Sequence, residues 1–127
     1  MSVIQPKIAA NAAENAVLTK ATLRAADLLD ITARMLASVI GVSEATVSRM
    51  RRQEFLLERG TKPFELAVLF VRLFRSLDSI VGSNDAAARA WLNGNNRALG
   101  EKPVELIRSA EGLVRAVHYL DASRGRV

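Results

Sequence analysis

The fold of this chain is decided by residues 38–52, which read SVIGVSEATVSRMRR. Gly41 stands between two apolar residues, Ser43 follows it, and a short helix-forming run then ends in arginines. Glycine adopts a left-handed backbone conformation without steric cost, so Gly41 can end a preceding helix. Ser43 can begin the next helix, because its hydroxyl accepts a hydrogen bond from a backbone N–H of the first turn. The stretch therefore predicts two short helices joined by a tight turn.

The spacing around this turn matches a helix-turn-helix unit, whose two helices cross closely at a steep angle. A small residue, Ala37, lies four positions before the glycine, and the β-branched Val47 lies six positions after it. The alternative is a helical hairpin with a glycine C-cap, which accounts for the glycine but not for these neighbours in register. Because arginines follow directly, we interpret the segment as a DNA-reading unit.

The second helix of this unit supplies the candidate DNA contacts. An arginine on its exposed face can pair in a bidentate manner with guanine, and short hydroxyl side chains can reach phosphates or base edges. The candidates are Ser43, Glu44, Ala45, Thr46, Ser48, Arg49 and Arg52. Arg51 is expected to contact the DNA backbone or water. Since one such unit reads about half of an operator site, we expect a homodimer on operator DNA.

Apolar residues recur along the chain at three- and four-residue steps, which predicts an all-α fold. Sustained strand alternation, the signal of a sheet, is not found in the sequence. Predicted helices cover residues 19–29, 32–40, 43–52, 61–81, 86–92, 103–109 and 111–125. The longest of them carries a broad apolar surface, which suits both a core and a dimer interface. Its predicted core face comprises Leu66, Leu69, Phe70, Leu73, Leu77 and Ile80.

Three regions follow from this pattern. Residues 1–18 are expected to form a flexible N-terminal arm, since they are mixed, small and aperiodic. Residues 19–60 are expected to form the helix-turn-helix bundle, and residues 61–127 a small helical domain for dimerisation and protein binding. The seam between the last two is short, so we expect them to pack together or to share the long helix.

Composition narrows the class of protein. The chain has 127 residues and a formal net charge of +5, which suits a nucleic-acid partner without proving one. It has no cysteine, which fits a reducing compartment. No stretch is apolar enough to cross a membrane, and no secretion signal is visible. We therefore expect a cytoplasmic protein.

Few residues could support catalysis. The chain contains one histidine, His118, and it has no glycine-rich phosphate loop following a strand. A lone histidine on a helix is more often a surface or packing residue than a catalyst. Because no nucleophile or general acid/base pair can be assembled, we expect neither an enzyme nor a metal or cofactor site.

The last third of the chain carries a set of motifs in a fixed order. Residues 90–125 read AWLNGNNRALGEKPVELIRSAEGLVRAVHYLDASRG. The set comprises Trp91-Leu92, Asn95-Asn96, Leu99-Gly100, Pro103, Leu106-Ile107, Glu111-Gly112, Val117 to Leu120, and Gly125. This order resembles the C-terminal toxin-binding domain of the Xre/MbcA/ParS antitoxins. Glu101 departs from the pattern, because a second glycine or a small residue is frequent there.

The resemblance implies a type II antitoxin with two functions. It implies binding to a RES-domain toxin that consumes NAD, or in some relatives to an ADP-ribosylating toxin, whose active site the C-terminal region covers. It also implies repression of the antitoxin's own operon through the helix-turn-helix. The implied toxin contacts are Trp91, Asn95, Asn96, His118, Tyr119, Arg124, Gly125, Arg126 and Val127.

Several of these roles have structural alternatives. Trp91 can equally be a core anchor, and the asparagines can simply form a turn. The carboxylate of Val127 can occupy a phosphate position of NAD, or the tail can be a frayed basic end. The competing function is a plain dimeric helix-turn-helix repressor without a toxin partner.

Overall fold

The computed structural model describes residues 6–125, with side chains described from residue 11 onward. Seven α-helices and no strand occur within this range, which confirms the predicted all-α fold. The helices are α1 Pro6–Leu28, α2 Ala33–Ile40, α3 Glu44–Arg51, α4 Lys62–Ile80, α5 Asp85–Asn93, α6 Pro103–Leu106 and α7 Ala110–Arg124.

The first helix is much longer than the sequence pattern predicts. It begins at Pro6 rather than at residue 19, so the prediction of a flexible arm is wrong from Pro6 onward. Its middle is tied to the segment that follows α3. The buried hydroxyl of Thr19 donates to the carbonyl oxygen of Asn15 at 2.7 Å and accepts from the backbone N–H of Leu57 at 2.9 Å. These contacts give the aperiodic part of α1 a fixed place in the fold.

The long helix α4 lies at the centre and packs against α1, α2, α5 and α7. Thr61 caps its first turn, because its hydroxyl accepts from the backbone N–H of Phe64 at 3.4 Å. Phe70, Leu73 and Leu77 are fully buried, as predicted. Ile80 is an error of the prediction, since it is 44% exposed at the helix end. Helices from both halves thus contribute to one hydrophobic core around α4, in agreement with the prediction that the halves pack together or share the long helix.

The C-terminal helices are short and well capped. Asn84 caps α5 and Ser109 caps α7, each by accepting a hydrogen bond from a backbone N–H of the first turn. The predicted helix over residues 103–109 ends at Leu106, because Ser109 must be extended to cap α7 (φ −110°, ψ 151°). Arg89 on α5 donates to the carbonyl oxygen of Leu28 at 3.1 Å and so joins the C-terminal helices to α1.

Candidate functional site

The turn between α2 and α3 has the predicted geometry. Gly41 is left-handed, with φ 73° and ψ 36°. Its N–H and that of Val42 both donate to the carbonyl oxygen of Ala37, at 2.9 and 3.1 Å, which closes the C-terminus of α2. The hydroxyl of Ser43 accepts from the backbone N–H of Thr46 at 3.0 Å and opens α3. The two helices are therefore held by backbone constraints on both sides of a three-residue turn, residues 41–43.

Packing fixes the angle between these two helices. Ala37 is buried where α2 meets its neighbours, as the requirement for a small side chain predicts. Val47 and Met50 on α3 are buried against the same core that contains Leu36 and Ile40 on α2. The apolar side of α3 is therefore buried in the core, and its opposite side faces outward.

The outward side of α3 carries most of the predicted DNA contacts. Ala45, Arg49 and Arg52 are exposed and recur at four- and three-residue steps, and Ser48 lies half-buried beside them. Ser43 and Glu44 are exposed at the N-terminus of the helix. This arrangement suits insertion of α3 into a major groove, where arginine reads guanine and a carboxylate can accept from cytosine.

Thr46 departs from its predicted role as a direct contact. Its side chain is only 8% exposed. Its hydroxyl accepts from the guanidinium of Arg49 at 3.0 Å and shares a hydrogen bond with the hydroxyl of Ser43 at 2.9 Å. Thr46 therefore orients Arg49 on the helix surface and does not itself offer a free surface to DNA.

The arginines at the end of α3 have carboxylate partners. Arg51 forms a two-pronged contact with Asp27 on α1, at 2.9 and 3.4 Å, and its predicted contact to DNA backbone or water would have to compete with this pair. Arg52 donates through Nε to Glu54 at 3.2 Å. Exposed ion pairs of this kind contribute about 0–1 kcal/mol, so Arg52 can exchange Glu54 for a DNA partner at little cost.

An aromatic pair marks the predicted protein-binding region. The rings of Trp91 on α5 and Tyr119 on α7 stack with centroids 6.4 Å apart and planes inclined by 18°. Both side chains are half-buried and pack against the core, so the structure supports the anchoring role for Trp91 while part of each residue stays exposed. His118, next to Tyr119, is exposed.

The two predicted asparagines, Asn95 and Asn96, lie in the loop between α5 and α6 and have different environments. The side-chain oxygen of Asn96 accepts from the backbone N–H of Leu99 at 3.0 Å, and its carbonyl accepts from Gly100 at 2.9 Å, so Asn96 forms the turn. Asn95 is exposed. Arg115, which the sequence analysis did not single out, donates to the carbonyl oxygen of Leu99 at 3.2 Å and fixes this loop on α7.

The end of α7 is anchored to α4 by a polar cluster. The buried hydroxyl of Ser76 donates to Asp121 at 2.7 Å and accepts from the guanidinium of Arg124 at 3.2 Å. Arg72 binds the second oxygen of Asp121. The hydrogen bond from Ser76, with further contributions from Arg72 and Arg124, lowers the pKa of Asp121 although burial opposes the shift.

The predicted toxin contacts fall into two groups, one at this cluster and one at the aromatic pair. Arg124 lies against Ser76 on α4, whereas the aromatic pair is formed with α5. Gly125 ends α7, as predicted, with its N–H donating to the carbonyl oxygen of Asp121 at 2.9 Å. Arg126 and Val127 lie outside the described residues. The anchored helix end fixes the point from which those two residues continue.

Residues 6–125 offer neither a metal site nor a membrane span. No group of histidine and acidic side chains there could hold a metal ion. Over the same range, none of the helices combines the length and the apolar character needed to cross a membrane.

The geometry defines a class of protein, a DNA-binding helix-turn-helix joined through a shared helix to a second helical module. Comparison with known families specifies the class further. Residues 9–72 match the antitoxin Xre-like helix-turn-helix domain, and residues 76–126 match the antitoxin Xre/MbcA/ParS C-terminal toxin-binding domain. The chain therefore belongs to the Xre-like antitoxins, and its two modules support a type II antitoxin. No curated protein matches the chain.

Proposed function

We propose that this chain neutralises a RES-domain, NAD-consuming toxin with its C-terminal module and represses its own operon with its helix-turn-helix. The observation that carries the proposal is the pair of family matches, which place a toxin-binding domain directly after a DNA-binding one. The RES identity and the NAD chemistry rest on the sequence resemblance of residues 90–125.

The toxin-binding surface in this proposal has two parts. The first comprises the half-buried Trp91–Tyr119 stack and two exposed residues near it in the sequence, His118 and Asn95. Aromatic side chains with a polar neighbour are frequent anchors at protein interfaces. The second part is the basic tail that continues beyond Arg124.

The tail acts on the toxin's active site in this proposal. Arg124 donates to the hydroxyl of Ser76, which supports a fixed position for the end of α7. In this proposal the toxin is contacted by Arg126 and Val127, since a guanidinium can bind carboxylates that line a nucleotide pocket. Two copies of the chain on operator DNA would supply the two half-site readers that repression requires.

A tail deletion tests the proposal. Cells producing the toxin are supplied with the full chain or with a chain lacking residues 125–127, and cellular NAD is measured. We expect the full chain to preserve NAD and the truncated chain to lose at least part of that protection while still binding the toxin. A full chain that neither binds the toxin nor preserves NAD would leave a plain repressor as the function. Equal protection by both chains would refute the role of the tail.

A further inference from the structure

An open apolar groove runs along the surface between α1 and α4. Its volume is about 750 Å³. Its walls are formed by apolar residues, two of which stand well out of the fold: Val17 is 68% exposed and Val68 is 44% exposed. Phe64 and Leu18 line the groove between them. A continuous apolar surface that folding leaves uncovered indicates an interaction site.

The two helices that form the groove run in broadly the same direction. Arg59, just before α4, contacts the middle of α1, through Glu14 at 2.7 Å and through Asn15 at 3.0 Å. Arg89, beyond the end of α4, contacts the last residue of α1, Leu28. The beginning of α4 therefore lies beside the middle of α1, and both helices run toward the region of Leu28.

Charge is distributed unevenly along this groove. Glu14, in the middle of α1, lines it at one end, whereas Arg72, Arg75 and Arg124 line it near the other end. Phe64 and Arg75 are separated by eleven helical residues, or about 16 Å along the axis. The surface thus has an acidic end formed by Glu14 alone, which is paired with Arg59 within the chain, an apolar middle and a basic end.

We infer that this groove is the interface between two copies of the chain. A two-fold axis through the apolar middle, perpendicular to the helices, brings the acidic end of each copy to the basic end of the other. Val17 and Val68 of the two copies then cover one another, and Glu14 faces Arg75 across the interface. Such self-complementarity is what a closed two-fold dimer requires. The inference adds a dimer interface to the proposed function. It rests on that function only for the purpose of the dimer, which is to read two half-sites.

The apolar middle of the interface is tested on the full chain by analytical ultracentrifugation over a concentration series. We expect the wild type to reach twice the chain mass of 13.8 kDa, and Val68→Glu to remain at 13.8 kDa. Ile80→Glu is the matched control, because Ile80 is also 44% exposed on α4 but does not line the groove. It should dimerise like the wild type. Circular dichroism checks that both variants are folded.

The charged ends are tested by reversal. Glu14→Arg and Arg75→Glu should each weaken dimerisation roughly tenfold or more, because like charges then meet across the interface. The double variant should recover most of the loss, since its two ends attract again. This recovery distinguishes a contact between copies from the loss of the internal pair between Glu14 and Arg59.

Several outcomes would overturn the inference. They are a wild type that stays at 13.8 kDa, a Val68→Glu variant that still dimerises, a control as disruptive as Val68→Glu, or a double reversal weaker than either single change. If Val68→Glu instead dimerises but no longer binds the toxin, the groove belongs to the toxin. The mass measurements need neither toxin nor DNA. They can therefore support the dimer interface even if the proposed function is refuted, and they can refute the interface even if the proposed function is supported.

Discussion

At the scale of single residues, two glycines are required for different physical reasons. Gly41 is required by its backbone conformation, since its left-handed φ of 73° disfavours other residues while a Cβ would have room, 3.5 Å from Leu66. Gly112 is required by space. A Cβ on Gly112 would lie 1.9 Å from the carbonyl oxygen of Leu106, a backbone atom that cannot yield without moving the α6–α7 junction.

The close approach at Gly112 gives the first prediction. Gly112→Ala should lower the free energy of unfolding by about 1–3 kcal/mol, since the junction must open to admit the methyl group. Urea titration of the full chain measures the change. Gly125→Ala is the control, because its Cβ would come no nearer than 3.3 Å to the carbonyl oxygen of Asp121 and 3.9 Å to that of Ala122. Equal midpoints for the two variants would show that the junction adapts more easily than its backbone contact implies.

Sequence reasoning identified the residues that decide the turn but not every contact they make. Gly41, Ala37 and Ser43 follow from local backbone rules, and the structure confirms all three. The burial of Thr46 could not be predicted from the sequence. Thr46 lies three residues before the exposed Arg49, and the sequence does not show how far α3 is rotated about its axis. Arg115 was also missed, since a hydrogen bond to a loop carbonyl leaves no pattern in the sequence.

At the scale of elements, α1 shows where periodicity is uninformative. Its sequence is rich in alanine and lacks an amphipathic stripe, so an apolar face predicts a helix only over its second half, from residue 19 onward. Alanine nevertheless has the highest intrinsic helix propensity, and the buried side of the helix is lined by small residues such as Ala25 and Ala26. Tertiary contacts from Leu57 and Arg59 supply what the pattern lacks.

The link between α4 and α7 gives a prediction about pH. The folded state lowers the pKa of Asp121, chiefly through the hydrogen bond from Ser76. A carboxyl with a lowered pKa stabilises the fold above its unfolded pKa of about 3.9, and this contribution is lost as the pH falls through the folded value. Asp121→Asn should therefore lower the melting temperature at neutral pH, and the difference from wild type should shrink below about pH 4.

Thermal unfolding from neutral to acidic pH measures this effect. Asp30→Asn serves as the control, because Asp30 is exposed and asparagine tolerates its left-handed φ of 56°. That variant should follow the wild type closely at neutral pH. A deficit of Asp121→Asn that stays constant down to the lowest pH would mean that the residue acts through packing and not through its charge.

At the scale of the whole molecule, α4 belongs to both modules. The helix-turn-helix match ends at residue 72 and the toxin-binding match begins at residue 76, both inside α4. The sequence division at residue 60 follows a visible break before Thr61, whereas the family matches divide the chain within an unbroken helix. Local signals mark where helices end, but they cannot show that one helix is packed from two sides.

A shared rigid helix allows two partners to bind separately, because neither predicted surface includes the other's residues. Arg49 and Arg52 lie on the exposed side of α3, and the aromatic pair lies between α5 and α7. Changing both arginines to alanine should weaken operator binding by about 100-fold or more, since each bidentate guanine contact is worth about 1–3 kcal/mol. Binding to the toxin should be unchanged, because α3 packs chiefly against α2 and α1 and not against the helices of the aromatic pair.

Fluorescence anisotropy on the promoter fragment and pull-down with the toxin measure the two activities on the same preparation. Arg108→Ala is the control for lost charge, since Arg108 is exposed and bonded only to its neighbour Glu105 among the described residues. Operator affinity should then fall only slightly, because removal of a distant charge changes the general attraction to DNA and not a base contact. If the arginine variant lost the toxin together with the operator, the two surfaces would be coupled through α4. The modules would then have to be treated as one site.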